Sequence, residues 1–523
     1  MRLETRRDAG RQRRRAAGVS LILPALLLAA GCASLPPAPA KTPSTAFAQP
    51  KSTTTGVLVA EAAAEHPDSS GFGLLHSGQD ALAVRLFLAN LAERSLDLQY
   101  YIFKGDTSGR LLTEHLLRAA DRGVRVRLLV DDNNLAGQDP IVAALDAHPG
   151  IEVRIFNPFA HRKSHGLDVA FDFSRVNHRM HNKILVSDGA VAVLGGRNIG
   201  DDYFGLSHEA NFRDLDVAAA GPIVPQIAAG FDGFWNSDWA YPVSSLVEHQ
   251  ATPADLEKLR TGLAAALAAN PDPWQLDSQL ADPRARLDDL VSTMVWAPGQ
   301  VVANDPATLT SGERGRVADA LIEQMAAAER EILIESAYFV QRKPGVEAAG
   351  RVCGRGVRVR VLTNSLASND VAPAHAGYEK NRKRLLEAGV ELHELRPDAL
   401  AVTRQVAAEA AGAIASLHTK AVVVDREAVF IGSFNLDPRS AELNTEVALV
   451  VESPELAAQV VAFMDEGAAP ESSYRVELDS DGDVVWIAEI DGSERRWTHE
   501  PETGGWQRFV ADVIKLLPIQ SQL

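Results

Sequence analysis

MHNKILVSD (180–188) and LHTKAVVVD (417–425) are two versions of one element, 237 residues apart. The apolar run after each lysine reads as a buried strand. At a side-chain period of two, His181 and Lys183 project from one face, as do His418 and Lys420. Each element continues to a matching end, Gly195-Gly196-Arg197-Asn198 in the first and Gly432-Ser433-Phe434-Asn435 in the second. Working outward, RGVRVRLL (122–129) returns as RGVRVRVL (355–362), an offset of 233 that agrees with the first to within four residues. Upstream of these lie LDLQYYIF (96–103) and ILIESAYF (332–339), β-type segments with aromatic ends. The chain is therefore an internal repeat. Each copy alternates apolar strands with helical patterns, which predicts an α/β architecture with mixed sheets.

The repeated set is what phosphodiester chemistry requires in duplicate. One imidazole can attack phosphorus while the other protonates the departing oxygen and later deprotonates an acceptor. Lys183, Lys420, Asn198 and Asn435 can hold non-bridging oxygens and offset their charge with no metal or cofactor. An acidic group must also fix each imidazole tautomer. Glu446 stands 28 residues past His418, and Asp214 and Asp216 stand 33 and 35 past His181, all on strand-like segments, so these three are the candidate histidine-orienting carboxylates. Asp188 and Asp425 complete the repeated pattern, and their place beside a turn suits tying down a hairpin.

Composition narrows the partners. With 46% hydrophobic and 23% charged residues, the chain is an ordinary globular one. Its 52 basic against 69 acidic residues leave −17, which argues against a nucleic-acid partner. Residues 1–31 combine seven arginines, two acids and the run VSLILPALLLAA, the pattern of an export signal. The ending LAAGC resembles a bacterial lipoprotein box with Cys32 as the lipidated residue, and a Pro, Ala, Ser and Thr-rich tether occupies 32–56. This predicts an envelope lipoprotein held at the inner or outer membrane and facing the periplasm. The only other cysteine, Cys353, reads as an inert thiol before a buried strand. Beyond the tether, the first repeat spans 57–242, a connector unlike either copy spans 243–305, and the second repeat spans 306–470. At 471–523 a β-meander with Asp-Gly turns precedes an amphipathic helix. Trp506, Phe509, Val510, Val513, Ile514 and Leu517 form that helix's apolar face, expected to pack on the body.

The duplicated HxKx4D followed by GGRN and GSFN resembles the phospholipase D superfamily and, within it, the bacterial cardiolipin synthase C type. RLLVDDNN, IEVRIFNPF, LGGRNIGDDYF, LTNSLASNDV, GSFNLDPRS and LLPIQSQL carry that nearer match. The resemblance implies two α/β sandwich halves related by a pseudo-twofold, with one active site at their interface. It places His181, Lys183, Asp188, His418, Lys420 and Asp425 in the catalytic motif. His181 would form a phosphatidyl-histidine, His418 would be general acid and base, and Asn198, Ser433 and Asn435 would bind phosphate. It also implies transfer of a phosphatidyl group onto phosphatidylglycerol, with phosphatidylethanolamine as the other lipid. The alternatives are a hydrolase releasing phosphatidic acid, a nuclease or other phosphodiesterase, and a non-catalytic envelope protein. Motifs leave open the donor lipid and any small accessory protein. Arg382, Lys383 and Arg384 are expected near the cleft mouth, where they would ease the approach of an acidic body to anionic lipid. Tyr378 and His375 are candidates to line the cleft.

Overall fold

The computed structural model describes residue 35 and residues 39–162, 165–270, 274–276, 282–310, 314–490 and 492–515. Cys32, the export signal and Leu517 lie outside the described residues. Two sheets carry the fold, and six strands recur in both in one order. In the first half these are Asp216–Ala220, Val191–Gly195, Ile184–Ser187, Ser95–Tyr100, Arg125–Asp131 and Ile151–Phe156. In the second they are Val447–Glu452, Ala428–Gly432, Lys420–Val424, Glu331–Ser336, Arg358–Asn364 and Glu391–Leu395. The last three of each set are parallel and the first three antiparallel. The stretch 243–305 gives one strand to each sheet: Val295–Ala297 pairs with Ser70–Leu75, and Gly299–Ala303 pairs with Val447–Glu452. The C-terminal meander, Ser473–Leu478, Val484–Ile490 and Ser493–Trp497, extends the second sheet beside Glu391–Leu395.

The motif strands are apolar throughout because both of their faces are covered. Ile184 and Val186 enter a cluster shared with Ala421, Val423, Val429 and Leu449 of the other sheet. Leu185 faces the outer core of the first half, and Val422 and Val424 face that of the second. Helices Val224–Asn236 and Pro454–Ala468 add Ile227, Val460 and Met464 to the shared layer. The central core is thus formed by both repeats together, and separating them would expose it.

Asp188 and Asp425 take positive φ, 52° and 54°, at the hairpin after each motif strand. Asp188 accepts from the N–H groups of Glu93, Arg94 and Ser95, and Asp425 from those of Glu329, Arg330 and Glu331. An aspartate suits this place because it tolerates the left-handed conformation and accepts several bonds. Both carboxylates cap the strands at the end away from the histidines, so their place in the catalytic motif is one of fold and not of chemistry.

The halves are stitched by backbone. Ala210–Arg213 pairs in parallel with Ile414–Leu417, and Met180 bridges Thr445. Arg213 then crosses from the first half into the second: its Nε lies 3.1 Å from Glu335 and its guanidinium 3.6 Å from the Phe463 ring. Arg213 and Glu335 are both fully buried.

Three surface expectations change. Arg382 is buried, ion-paired to Glu394 and Glu500 and held over Tyr378 and Trp486. Only Lys383 and Arg384 of that trio are exposed. Tyr378 donates to Glu394 and His375 meets Glu500 at 3.1 Å, so both are buried in the network that holds the C-terminal segment and line no cleft. In the final helix, Gly505–Lys515, Ala511 is buried and Val510 and Ile514 are half-buried, but Trp506, Phe509 and Val513 face outward. The expected apolar face is split. Cys353 ends the helix Lys343–Cys353, and burial pushes its thiol pKa up.

Removing one member of a buried ion pair strands the other, at a cost of about 3–5 kcal/mol. Arg213→Ala should therefore lower the unfolding free energy of the whole molecule, read from urea denaturation, by that amount, whereas Arg330→Ala, an exposed partner of Glu427, should change it little. Equal effects from the two would contradict the role given to Arg213.

Candidate active site

The site forms where the two stitches meet. The His181 N–H donates to the Thr445 carbonyl at 2.9 Å, and the His418 N–H to the Arg213 carbonyl at 2.8 Å. The residues that follow those carbonyls are Glu446 and Asp214. The stitch therefore sets a carboxylate of one half beside the imidazole of the other. His181 Nδ1 lies 3.0 Å from Glu446 Oε2 and 3.0 Å from the Ser433 carbonyl. His418 Nδ1 lies 2.6 Å from Asp214 Oδ2. Each Nδ1 faces a carboxylate oxygen, at His418 closer than the Lys420 Nζ 3.0 Å away, and so carries the proton, which leaves each Nε2 with its lone pair to meet a substrate.

Asp214 and Glu446 are equivalent in the fold. Gly196 N–H donates to the Leu215 carbonyl, as Ser433 N–H donates to that of Val447. Asp216 therefore matches Ala448 and is not a histidine-orienting group. It pairs with Arg85 at 2.9 Å and accepts from the Arg197 N–H at 3.1 Å. The same equivalence explains the unequal spacings of 28 and 33, because the first copy has a longer loop before its carboxylate.

Ser433 supports the longer glutamate arm of the second half. Its hydroxyl donates to Glu446 Oε2 and accepts from the Val447 N–H at 3.0 Å, so it holds the carboxylate and is not free for phosphate. At the matching position 196, a Cβ would lie 2.0 Å from Asp214 Oδ1. Glycine there is a steric requirement of the His418 partner, a reason the sequence did not disclose.

Lys183 and Lys420 are both buried, and each donates to the carbonyl of its own histidine. An ammonium has three donors, so each keeps capacity for a bound anion. Lys183 also lies 5.4 Å from the Tyr101 ring centre. Asn198 is committed at both ends, accepting from the Ile102 N–H at 3.0 Å and donating to the Tyr203 hydroxyl at 2.9 Å. The Asn435 backbone N–H donates to Ser440, while its Oδ1 is buried with no partner among the described residues. Of the two asparagines, its amide is the less committed.

Sequence reading missed the walls. Tyr101 meets His181 edge-on at 5.0 Å, and Tyr203 meets His418 edge-on at the same distance, with Phe212 at 5.1 Å. Tyr101 and Tyr203 stand in the strings LDLQYYIF and LGGRNIGDDYF, but nothing in those strings says that their rings meet a histidine. Outside this centre, His375, Glu379 and Glu500 bring ligating atoms within 4.8 Å. The Arg382 guanidinium already pairs with Glu500 there, and a cation would meet its charge.

Burial sets the protonation states. It pushes His181 down to about 4, against the opposing pull of Glu446. His418 is pushed well below its ordinary value by burial and then by Lys420 and Lys183. Burial also lowers both lysines and raises Asp214. Glu446 ends below its usual range, because His181, Lys183 and Ser433 outweigh the burial that pushes it up. At neutral pH both imidazoles are therefore neutral, and His181 faces an ionised carboxylate.

A histidine depressed in the folded chain destabilises it in acid: between pH 6.5 and pH 4 the unfolded chain takes up a proton that the folded one refuses. Stability is fully present above that window and is lost as pH falls through it. His181 alone should cost about 2–3 kcal/mol between pH 7 and pH 4.5. Denaturant midpoints at the two pH values should therefore differ less in His181→Asn than in the unaltered protein. An undiminished difference would sink the assignment of a buried neutral imidazole.

Known proteins agree with this architecture. A family model described as "Cardiolipin synthase, PLD-like domain" matches residues 87–235 and again 321–466. Cardiolipin synthase C of Escherichia coli (strain K12) is 39% identical over 87% of this chain and 97% of that protein. An uncharacterised protein of Helicobacter pylori (strain J99) is 31% identical over 90% of this chain and 93% of its own length. Among solved structures, phosphatidylserine synthase of Haemophilus influenzae superposes with a TM-score of 0.55 at 14% identity, covering 89% of this chain and all of that one, a likeness of fold. With two motif-bearing halves meeting at one site and both halves matched by the same model, the chain is an enzyme of the phospholipase D superfamily and belongs to the family described as cardiolipin synthase, PLD-like domain.

Proposed function

We propose that this enzyme is a phosphatidyltransferase that forms cardiolipin from phosphatidylglycerol and a second phospholipid, phosphatidylethanolamine, through a phosphatidyl-histidine. One observation carries the reading: two imidazoles, each fixed through Nδ1 by a carboxylate of the opposite half, stand beside two buried lysines. The relationship to cardiolipin synthase C of Escherichia coli over nearly all of that protein supports the lipid assignment.

In the first step Nε2 of His181 attacks phosphorus, a P–N bond forms, and the P–O bond to the headgroup alcohol breaks. His418 gives its Nε2 proton to the departing oxygen. Burial lowers His418, and an anionic phosphodiester beside it favours the protonated form that gives this proton. In the second step His418 takes the proton of a phosphatidylglycerol hydroxyl, the new P–O bond forms, and the P–N bond breaks. Lys183 and Lys420 offset the charge on the non-bridging oxygens in both transition states. The choice of His181 as nucleophile is supported by its ionised partner: Glu446, held below the usual carboxylate range, stabilises the cation that develops as the imidazole attacks. The lipid tether at Cys32 places the enzyme in a bacterial envelope in this reading.

Purified protein added to vesicles of phosphatidylglycerol and phosphatidylethanolamine should yield cardiolipin by mass spectrometry, with chelator present. Free ethanolamine or glycerol would identify the donor. Phosphatidic acid alone would mean that water is the acceptor and the enzyme a hydrolase. His181→Ala and His418→Ala should each lower turnover by at least about a thousandfold. With phosphatidyl-p-nitrophenol, whose leaving group departs without a proton, and a denaturing quench at mildly alkaline pH, where a P–N bond survives, a phosphatidyl adduct should be trapped on the intact His418→Ala chain and not on the His181→Ala chain; the reverse pattern would exchange the two roles.

A further inference from the structure

Among the described residues, two exposed apolar patches stand on the side of the molecule where the two histidines lie, at the ends of the parallel strands. In the first half, the helix His165–Phe171 and the turn of helix after it leave Leu167, Phe171 and Phe173 exposed, Phe171 to 62%. This segment is fastened to the site. His165 stacks on Phe159 at 3.9 Å, and Phe159 lies under the Arg179 guanidinium, two residues before His181. In the second half, the final helix exposes Trp506, Phe509 and Val513, Trp506 to 74%. That helix packs on Ala372–Glu387, and Gln507 Nε2 donates to the Leu366 carbonyl just past the end of strand Arg358–Asn364. The loop containing Leu366 runs on to Asp370, which accepts from Tyr338 and acts on Lys420.

Because the stitch between the halves is parallel at both contacts, the parallel strands of the two sheets end on one side. Both patches lie at those ends, some 330 residues apart in the chain and one on each repeat.

The tether emerges on the same side. Thr42 O accepts from Arg154, Ser44 O from Arg127 and Thr45 O from Arg125, so the chain from 42 to 45 descends toward the beginnings of the strands. Read backwards it climbs to their ends, where Lys41 donates to the Ala240 carbonyl at 2.7 Å and Ala240 pairs with Phe156, the last residue of its strand. From Pro39 only seven residues lead to Cys32, a reach of at most about 25 Å. A lipid on Cys32 would hold this side of the molecule, and no other, close to the bilayer.

We propose that Leu167, Phe171 and Phe173 of one half and Trp506, Phe509 and Val513 of the other form a docking face for a phospholipid bilayer on the side of the two histidines, an inference that rests on phospholipid being the substrate. Tryptophan and phenylalanine suit the boundary between headgroups and acyl chains. With the body strongly acidic, apolar insertion and the tether replace electrostatic attraction as the means of approach to anionic lipid.

Trp506 gives a direct readout, because the other six tryptophans are buried or half-buried. Full-length, lipid-anchored protein is placed on phosphatidylglycerol and phosphatidylethanolamine vesicles with brominated acyl chains, which quench indole emission on contact. Quenching is expected in the unaltered protein and lost in Trp506→Phe. It should return when Phe171→Trp is added to that variant. No quenching, equal quenching in Trp506→Phe, or no return with Phe171→Trp would each overturn the docking face. So would a dimer in solution that Trp506→Ser with Phe509→Ser abolishes, since a second copy would then cover the patch. The measurement needs no turnover: quenching without cardiolipin would overturn the function alone, and cardiolipin without quenching the docking alone.

Discussion

The crossed pairing of each histidine with a carboxylate of the opposite repeat is the constraint on which the rest of this structure depends. His181 is fixed by Glu446 and His418 by Asp214, and neither repeat has both members of a pair. The pairing is produced by backbone, since the carbonyls of Thr445 and Arg213 that receive the two histidine N–H groups precede the carboxylates in sequence. Side-chain chemistry at the centre is therefore fixed by strand registration between halves. A slip of one residue would turn both carboxylates to the other face.

Such a site is costly to assemble, because two imidazoles, two ammonium groups and two carboxylates are all withdrawn from water. The fold offsets this by giving every group a partner and by letting burial choose the neutral imidazole. The shared apolar layer of Ile184, Val186, Ala421, Val423 and their neighbours holds the halves together while these charges are enclosed. Arg213 contributes on both levels. Its carbonyl positions His418, and its guanidinium reaches Glu335 across the interface.

The pseudo-twofold is not perfect, and the departures are informative. Glutamate with a supporting serine on one side faces aspartate with an obligatory glycine on the other. The longer glutamate arm leaves room for the Ser433 hydroxyl, and the shorter aspartate brings its carboxylate where a Cβ at position 196 would stand. The two imidazoles consequently face carboxylates of different character, one held ionised and one pushed up by burial. Two near-identical motifs can thus take different parts in one reaction.

How much of this was legible in the sequence follows from which information is local. The repeat, the strand character of each motif and the shared face of each His and Lys all depend on neighbours within a few residues, and MHNKILVSD and LHTKAVVVD display them directly. The candidate carboxylates were legible as a set of three. Which histidine each would meet was not, because spacing along the chain measures the wrong path when the partner lies on the other repeat. Asp216 could be separated from Asp214 only by the ladder that matches it to Ala448. Ser433 looked like a phosphate ligand and became a support for Glu446, and Arg382 looked like a surface charge and became buried against Glu394 and Glu500. The sequence by itself determined the inventory of reactive groups and the elements that carry them, because covalent spacing and side-chain periodicity act at short range. Only the tertiary structure decided who pairs with whom, because hydrogen bonding and burial depend on distances in space that two stitched sheets alone bring to 3.0 Å and 2.6 Å.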